Sequence, residues 1–116
     1  MPPSDSAGGA EVADLTAANF RIDRPSDVLG LIGQGVERVL LADAQLNPDF
    51  FDLSTGFAGE LLQKCANYGI RVAVILTADE PHSTSFRQFV GESNRGNQFL
   101  FVTSSGEGKA RLLIDA

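Results

Sequence analysis

Three short apolar runs constrain the fold more than any other feature of the sequence. They lie at residues 38–42, 71–76 and 98–102, and each is rich in branched or aromatic side chains. Compact runs of this kind are typical of strands that are buried on both faces of a parallel sheet. Segments with helical periodicity separate them, and strands that alternate with helices require crossover connections. The sequence therefore predicts an α/β fold, with a small, mostly parallel or mixed sheet flanked by helices.

Local patterns predict the elements between and around these strands. Residues 26–34 and 85–95 carry apolar side chains at helical spacing, and Ser85 with Gln88 three residues later is typical of a capping box. Ser104 begins the same pattern for a short last helix. Ahead of all these, residues 10–15 and 19–22 have the pattern of two weak strands in a hairpin.

Residues 50–68 carry the longest helical pattern. Apolar side chains recur there every three or four residues, at Phe50, Leu53, Phe57, Leu61, Cys65 and Tyr68. This spacing predicts one apolar stripe that faces the core. Asn47-Pro48 is typical of a helix start and Gly69 of a helix end. Ser54-Thr55-Gly56 leaves two structures open, which are one continuous helix or a turn followed by a new helix.

Length and composition predict one domain. The chain has 116 residues, and we expect 1–9 to be a disordered tail, rich in Pro, Ser and Gly, and 10–116 to be a single α/β domain. No run approaches the roughly 20 apolar residues of a membrane helix, and the start lacks the basic and apolar stretches of a signal peptide. We therefore expect a cytoplasmic protein that does not bind a membrane.

Charge and residue types exclude several classes of site. The net charge is −6, and the nine basic residues are scattered, which argues against a nucleic-acid surface. One cysteine and one histidine, Cys65 and His82, cannot form a disulfide or a Cys/His zinc site. Cys65 lies on the apolar stripe and is expected in the core. No phosphate-binding loop or hydrolase motif occurs, so we expect no metal, no cofactor and no assembled catalytic set.

Two groups of residues remain as candidate sites. The first is Asp52, Ser54, Thr55 and Gly56, which either cap a helix or form a phosphorylation or recognition turn. The second is a face for interaction or ligand binding that comprises Phe51, Gly59, Glu60, Lys64, Glu92, Asn94 and Arg95.

Two features of the sequence, its glycines and a pair of opposite charges, indicate the face for interaction or ligand binding. Glycine costs about 1 kcal/mol against alanine inside a helix, so Gly56 and Gly59 predict that something packs very close. Glu60 and Lys64 are four residues apart and form either a surface pair or, with Glu92 and its neighbours, a polar cluster.

The same stretches resemble a known family. The run Phe-Phe-Asp-Leu-Ser-Thr-Gly-Phe-Ala-Gly-Glu-Leu-Leu-Gln-Lys at 50–64, with Asn67-Tyr68, is similar to the bacterial domain-of-unknown-function family 4180. So is Ser-Phe-Arg-Gln-Phe-Val-Gly-Glu-Ser-Asn-Arg-Gly at 85–96, and the resemblance extends from about residue 28 to the C-terminus. The family carries no established activity, so this resemblance implies no reaction.

A second resemblance concerns the layout of the elements. A strand, then an Asp-x-Ser-Thr-Gly turn that opens a helix, then a glycine and an apolar strand, is similar to the STAS fold of anti-sigma-factor antagonists. Those small switches carry a phosphorylated hydroxyl in an Asp-Ser-Ser-Gly turn. The resemblance places Asp52 to Gly56 there, with Thr55 as the acceptor. Leu53 between the acid and the hydroxyls, and Thr in place of Ser, depart from that pattern.

We therefore expect a non-enzymatic regulatory or protein-interaction module that binds a protein partner through residues 51–59. The alternative is a small-molecule-binding protein or enzyme that uses a polar cluster around Glu60 and Glu92. A third hypothesis is a homodimer formed through the central helix.

Overall fold

A parallel sheet organises the chain. The structure, a computed structural model, describes residues 12–77, 83–96 and 98–113. Its strands are β1 (Ala13–Asp14), β2 (Arg38–Ala42), β3 (Arg71–Ile75) and β4 (Phe99–Val102). Neighbouring strands are all parallel, and their order in the sheet is their order in the chain. The predicted α/β fold is therefore confirmed, and the three apolar runs are β2, β3 and β4.

The order of the strands decides where the helices lie. The helices are α1 (Leu29–Ile32), α2 (Phe57–Tyr68), α3 (Thr84–Ser93) and α4 (Ser105–Leu112). Each of the first three connects a strand to its next neighbour, and parallel crossovers are almost always right-handed. Because every step across the sheet goes in the same direction, that rule places α1, α2 and α3 on one face. The helix α4 follows the last strand and covers the other face.

Short 3₁₀ helices fill the longer connections. They span Pro25–Val28, Asp43–Gln45, Pro48–Phe51 and Leu53–Thr55. In the described residues, no helix is long and apolar enough to cross a membrane.

The main core lies between the sheet and the three crossover helices. Phe50, which is fully buried, is at its centre. Its ring lies 5.3 to 6.5 Å, centroid to centroid, from the rings of Phe51, Phe57, Phe86, Phe89, Phe99 and Phe101. Aromatic pairs at such separations add to the stabilisation from buried area. One ring thus joins a 3₁₀ helix, two α-helices and the edge strand.

A smaller core lies under α4. Leu40, Ala73 and Leu100, which lie side by side on three strands, pack there against Leu112. Gly108 lets the helix come close, since a Cβ atom at this position would lie 2.5 Å from Leu40 Cδ1 and 3.2 Å from Val102 Cγ2. The absence of a side chain at position 108 therefore sets the distance between α4 and the sheet.

Charged side chains fix both sides of α4. The Arg71 guanidinium donates hydrogen bonds to the carbonyl oxygens of Leu112 (3.0 Å) and Arg111 (3.2 Å) at the end of the helix. A cation is favourable there because of the helix dipole. Lys109 forms an ion pair of 3.2 Å with Asp14 on β1. These contacts join α4 to β3 and to β1.

The predicted N-terminal hairpin is wrong in the residues that the structure describes. Ala13–Asp14 pairs in parallel with β2, and Ile22 forms an isolated parallel bridge with Leu46. The two segments thus pair with another part of the chain rather than with each other.

Gln45 explains this arrangement. Its buried side chain accepts a hydrogen bond from Ala42 N (2.8 Å) and donates to the carbonyl oxygens of Leu15 (2.7 Å) and Phe20 (3.0 Å). A buried amide with its partners satisfied is a strong local constraint. It ties the loop after β1 to the end of β2, which leaves no hairpin turn.

Two further predictions were wrong in detail. The cap of α3 is Ser83, whose hydroxyl accepts from Phe86 N (3.0 Å), and not Ser85. Tyr68 is 56% exposed rather than part of the core. The helix α2 ends at this residue, Gly69 takes a left-handed conformation, and Ile70 enters the core instead.

Substitutions of two glycines of α4 test the close approach of this helix. We expect Gly108→Ala to lower the free energy of unfolding by about 1–3 kcal/mol, because the new methyl group overlaps the enclosed Leu40. Gly106, which is exposed and has no atom within 4 Å of a built Cβ, is the matched control. Gly106→Ala should leave stability unchanged or raise it by up to about 1 kcal/mol. Urea denaturation measures both, and equal effects would contradict the packing described.

Candidate functional site

The central segment contains a turn. The 3₁₀ helix Pro48–Phe51 ends at Asp52, a second 3₁₀ helix spans Leu53–Thr55, and α2 begins only after Gly56. Gly56 has a φ of 77°, a left-handed conformation that glycine adopts without strain. Residues 54–56 therefore form a turn before a new helix, which decides between the two structures that the sequence left open. The residues Asp52 to Gly56 are named the polar turn below.

Asp52 organises the polar turn. Its Oδ1 accepts hydrogen bonds from the backbone N–H (3.1 Å) and the hydroxyl (2.6 Å) of Ser54. The hydroxyl and the N–H of Ser54 hold the pKa of the Asp52 carboxyl below its usual range. Both side chains are exposed, so the turn presents an ionised carboxylate and a hydroxyl to solvent.

The hydroxyl of Thr55 is engaged more fully than that of Ser54. Its Oγ1 lies 2.8 Å from the carbonyl oxygens of both Asp49 and Asp52, and it accepts a hydrogen bond from Phe57 N (3.2 Å). Thr55 thus caps the first N–H of α2 and joins both 3₁₀ helices to it. The contact with Asp49 was missed at the level of sequence, because the Thr55 pattern identifies a cap but not a second carbonyl partner.

Phe51 and Gly59 flank the polar turn. Phe51 is half-buried, and its ring lies 5.3 Å from that of Phe86. Gly59 is exposed in the first turn of α2, with no atom within 4 Å of a built Cβ. No atom of the described chain lies within 4 Å of a Cβ built on Gly56 either, so close packing of a partner chain or a ligand on these glycines stays a prediction. Gly56 is explained by its left-handed conformation, whereas Gly59 leaves a bare patch of helix.

The remaining predicted residues form two separate groups. Glu60 and Lys64 make an ion pair of 3.9 Å along α2. Glu92, Asn94 and Arg95 lie at the end of α3, and in the described residues no hydrogen bond or ion pair joins them to Glu60 or Lys64. Both helices run antiparallel to the strands, so the start of α2 and the end of α3 lie at opposite ends of the sheet.

Asn94 has a structural partner that the sequence did not reveal. Its amide donates to the carbonyl oxygen of Phe101 (3.0 Å) and accepts from Phe101 N (2.7 Å) on β4. The hydroxyl of Ser93 also donates to a carbonyl of this strand, that of Phe99. Polar residues between a helix and a strand indicate that side chains could bond to the strand. The sequence does not show which strand residues they reach.

The other chemically interesting side chains add no site in the residues that the structure describes. Cys65 is fully buried, and burial raises the pKa of its thiol to about 12. A thiol in such surroundings is unreactive at neutral pH. His82 lies outside the described residues. In the part of the chain that the structure describes, no three His, Cys, Asp or Glu side chains are grouped so that they could hold a metal ion.

The hydroxyl of Ser54 tests the electrostatics of the polar turn. We expect Ser54→Ala to raise the pKa of Asp52 toward its usual range, because the carboxylate loses a hydrogen bond that favours its charged form. Ser54→Thr keeps a hydroxyl at the same position and should keep the pKa low. Carbon-detected NMR titration of the Asp52 carboxyl measures both variants. The same pKa in wild type and Ser54→Ala would show that the hydroxyl does not control this carboxylate.

Comparisons with known proteins give the chain a family. No curated protein and no solved structure matches it. The profile of one family, described as Domain of unknown function (DUF4180), matches residues 7–112, which extends the resemblance well before residue 28. Because this match covers most of the 116 residues, the chain belongs to the DUF4180 family.

Proposed function

We propose that the chain is a non-enzymatic regulatory or protein-interaction module, and that the polar turn and the first turn of α2 bind the protein partner. The observation that carries this proposal is that the bare patch at Gly59 lies next to the exposed, acidic polar turn. An exposed glycine inside a helix sacrifices about 1 kcal/mol against alanine, and nothing in the described chain uses the space it leaves. A partner whose backbone or flat side chain lies on the helix would use it.

The structure of the polar turn supports recognition by hydrogen bonds. Its side chains are ordered by bonds within the turn, so a partner would meet a preorganised surface and would lose little conformational entropy on binding. Asp49 and Asp52 are both exposed and make the surface acidic. The partner surface is therefore expected to carry N–H donors or basic side chains.

We propose phosphorylation of the polar turn as the switch, by analogy with the STAS-like layout. The resemblance names Thr55 as the acceptor, whereas the hydrogen bonds favour Ser54. The Ser54 hydroxyl is exposed and, within the part of the chain that the structure describes, bonds to Asp52 alone. Modification of Thr55 would instead break its contacts with two carbonyls and one N–H. A phosphate on Ser54 would add negative charge beside Asp52 and change what the surface attracts.

The alternative functions have less support. A small-molecule site around Glu60 and Glu92 requires the two groups of residues to meet, and no contact in the described residues favours this. A homodimer through α2 stays a prediction, and light scattering on the purified chain tests it.

A tryptophan on the bare patch tests the proposal. We expect Gly59→Trp to abolish specific retention of a partner from a lysate of the source organism, because the indole occupies the space that the partner needs. Gly91→Trp is the matched control, since Gly91 is also an exposed helical glycine with open space around it, but lies on α3. Wild type and Gly91→Trp should retain the same partner.

Circular dichroism and thermal unfolding establish that all three proteins are folded. If the folded wild type retains no specific partner, or if Gly59→Trp retains the same partner equally well, the proposed surface is wrong.

A further inference from the structure

The outer edge of β4 is a surface on which a further strand could pair. Along its inner edge β4 bonds to β3, as in Val72 N to Gln98 O (3.0 Å) and Leu76 N to Val102 O (2.8 Å). Because inward and outward groups alternate along a strand, Phe99, Phe101 and Thr103 direct their backbone groups outward. Exposed edge groups of this kind are a template for pairing with another chain.

Side chains of the same chain occupy this edge. The Asn94 amide bonds to both the N–H and the carbonyl oxygen of Phe101, which is the pair of bonds that a residue of a neighbouring strand would make. Ser93 donates to the carbonyl oxygen of Phe99, and Glu107 accepts from Thr103 N (3.0 Å). Each of Phe99, Phe101 and Thr103 thus has at least one outward backbone group that is hydrogen-bonded to a side chain of the same chain.

Two helices hold Asn94 in position. Its backbone N–H donates to Val90 O (2.9 Å) at the end of α3, and its carbonyl oxygen accepts from the Arg111 guanidinium of α4 (3.0 Å). α3 itself is anchored by the fully buried Phe86. These bonds fix the backbone of Asn94 beside β4, so that only its side-chain torsions lose freedom when the amide bonds to the strand.

The sequence of β4 makes an open edge hazardous. Phe-Leu-Phe-Val is uncharged, rich in residues that favour strands, and buried on both faces. Short segments of this composition pair readily with identical copies of themselves when their edges are open. The partner that best fits the edge is therefore β4 of a second copy of this chain.

We propose that Ser93 and Asn94 replace a fifth strand, and that their side chains keep β4 from pairing with β4 of a second copy. This role is independent of the polar turn, which lies at the opposite end of the crossover helices.

Asn94→Leu tests the proposal, because leucine has a similar size but cannot bond to Phe101. We expect this variant to form dimers or larger species as its concentration rises, in sedimentation velocity. Asn67→Leu is the matched control, since Asn67 is exposed on α2 and, among the described residues, its amide bonds to Gln63 alone. This control should have the same mass distribution as the wild type. Concentration-independent sedimentation of folded Asn94→Leu would overturn the proposal.

Hydrogen exchange of the Phe101 amide gives a second measurement, which does not depend on the folding of a variant. In the wild type this amide should be protected, because Asn94 accepts its hydrogen bond. Exchange at the rate of an open chain in the folded wild type would overturn the proposal. In Asn94→Leu, studied at a low concentration where the variant is monomeric, this amide should exchange at least about tenfold faster than in the wild type. The reason is the loss of its hydrogen bond at the strand edge.

Discussion

Phe50 contacts the rings of six other phenylalanines, and most of the arrangement on the first face of the sheet follows from this. The residue lies in a 3₁₀ helix directly before the polar turn, so its burial fixes where that turn emerges at the surface. Phe57, just after the turn, packs against the same ring. One aromatic cluster thus restrains both ends of a short exposed loop.

The order of the strands leaves the face of the sheet under α4 with less helical cover than the face under α1, α2 and α3. Since three crossovers place their helices on one side, α4 is the only helix of the described residues that covers the other. This helix has eight residues and contains two glycines, so its own tendency to form a helix is weak. The close approach at Gly108 and the hydrogen bonds from Arg71 supply the stabilisation that the helix propensity of this segment does not. The second face is therefore stabilised by tertiary contacts rather than by helix propensity.

Local patterns predicted the parts of the fold that depend on neighbours in sequence. The apolar runs gave β2, β3 and β4, Ser104 was correctly identified as a cap, and Gly69 as a helix end. The hairpin failed because its segments pair with β2 and Leu46, far along the chain, and the buried Gln45 amide that holds them has no local signature. Similarly, a single sequence showed a polar Asn94 but not the strand that it bonds to.

In the candidate site, too, local sequence predicted some features, whereas others depend on contacts that are distant in sequence. Periodicity could place Phe50 and Phe57 in the core and identify Asp52 to Gly56 as an interruption. It could not tell a turn from a continuous helix, because that depends on whether the Thr55 hydroxyl finds the carbonyl oxygens of Asp49 and Asp52. Whether Gly59 is open likewise depends on which residues lie around it in the fold, which a single sequence does not show.

The burial of Cys65 has a practical consequence for work on this chain. It is the sole cysteine of the sequence, and its thiol is enclosed, with a pKa raised to about 12. Maleimide and related reagents react with exposed thiolates, so the native chain is effectively without a labelling site at neutral pH. One cysteine introduced on the surface would then carry a fluorophore or spin label at a single defined position, without removal of the native residue from the core.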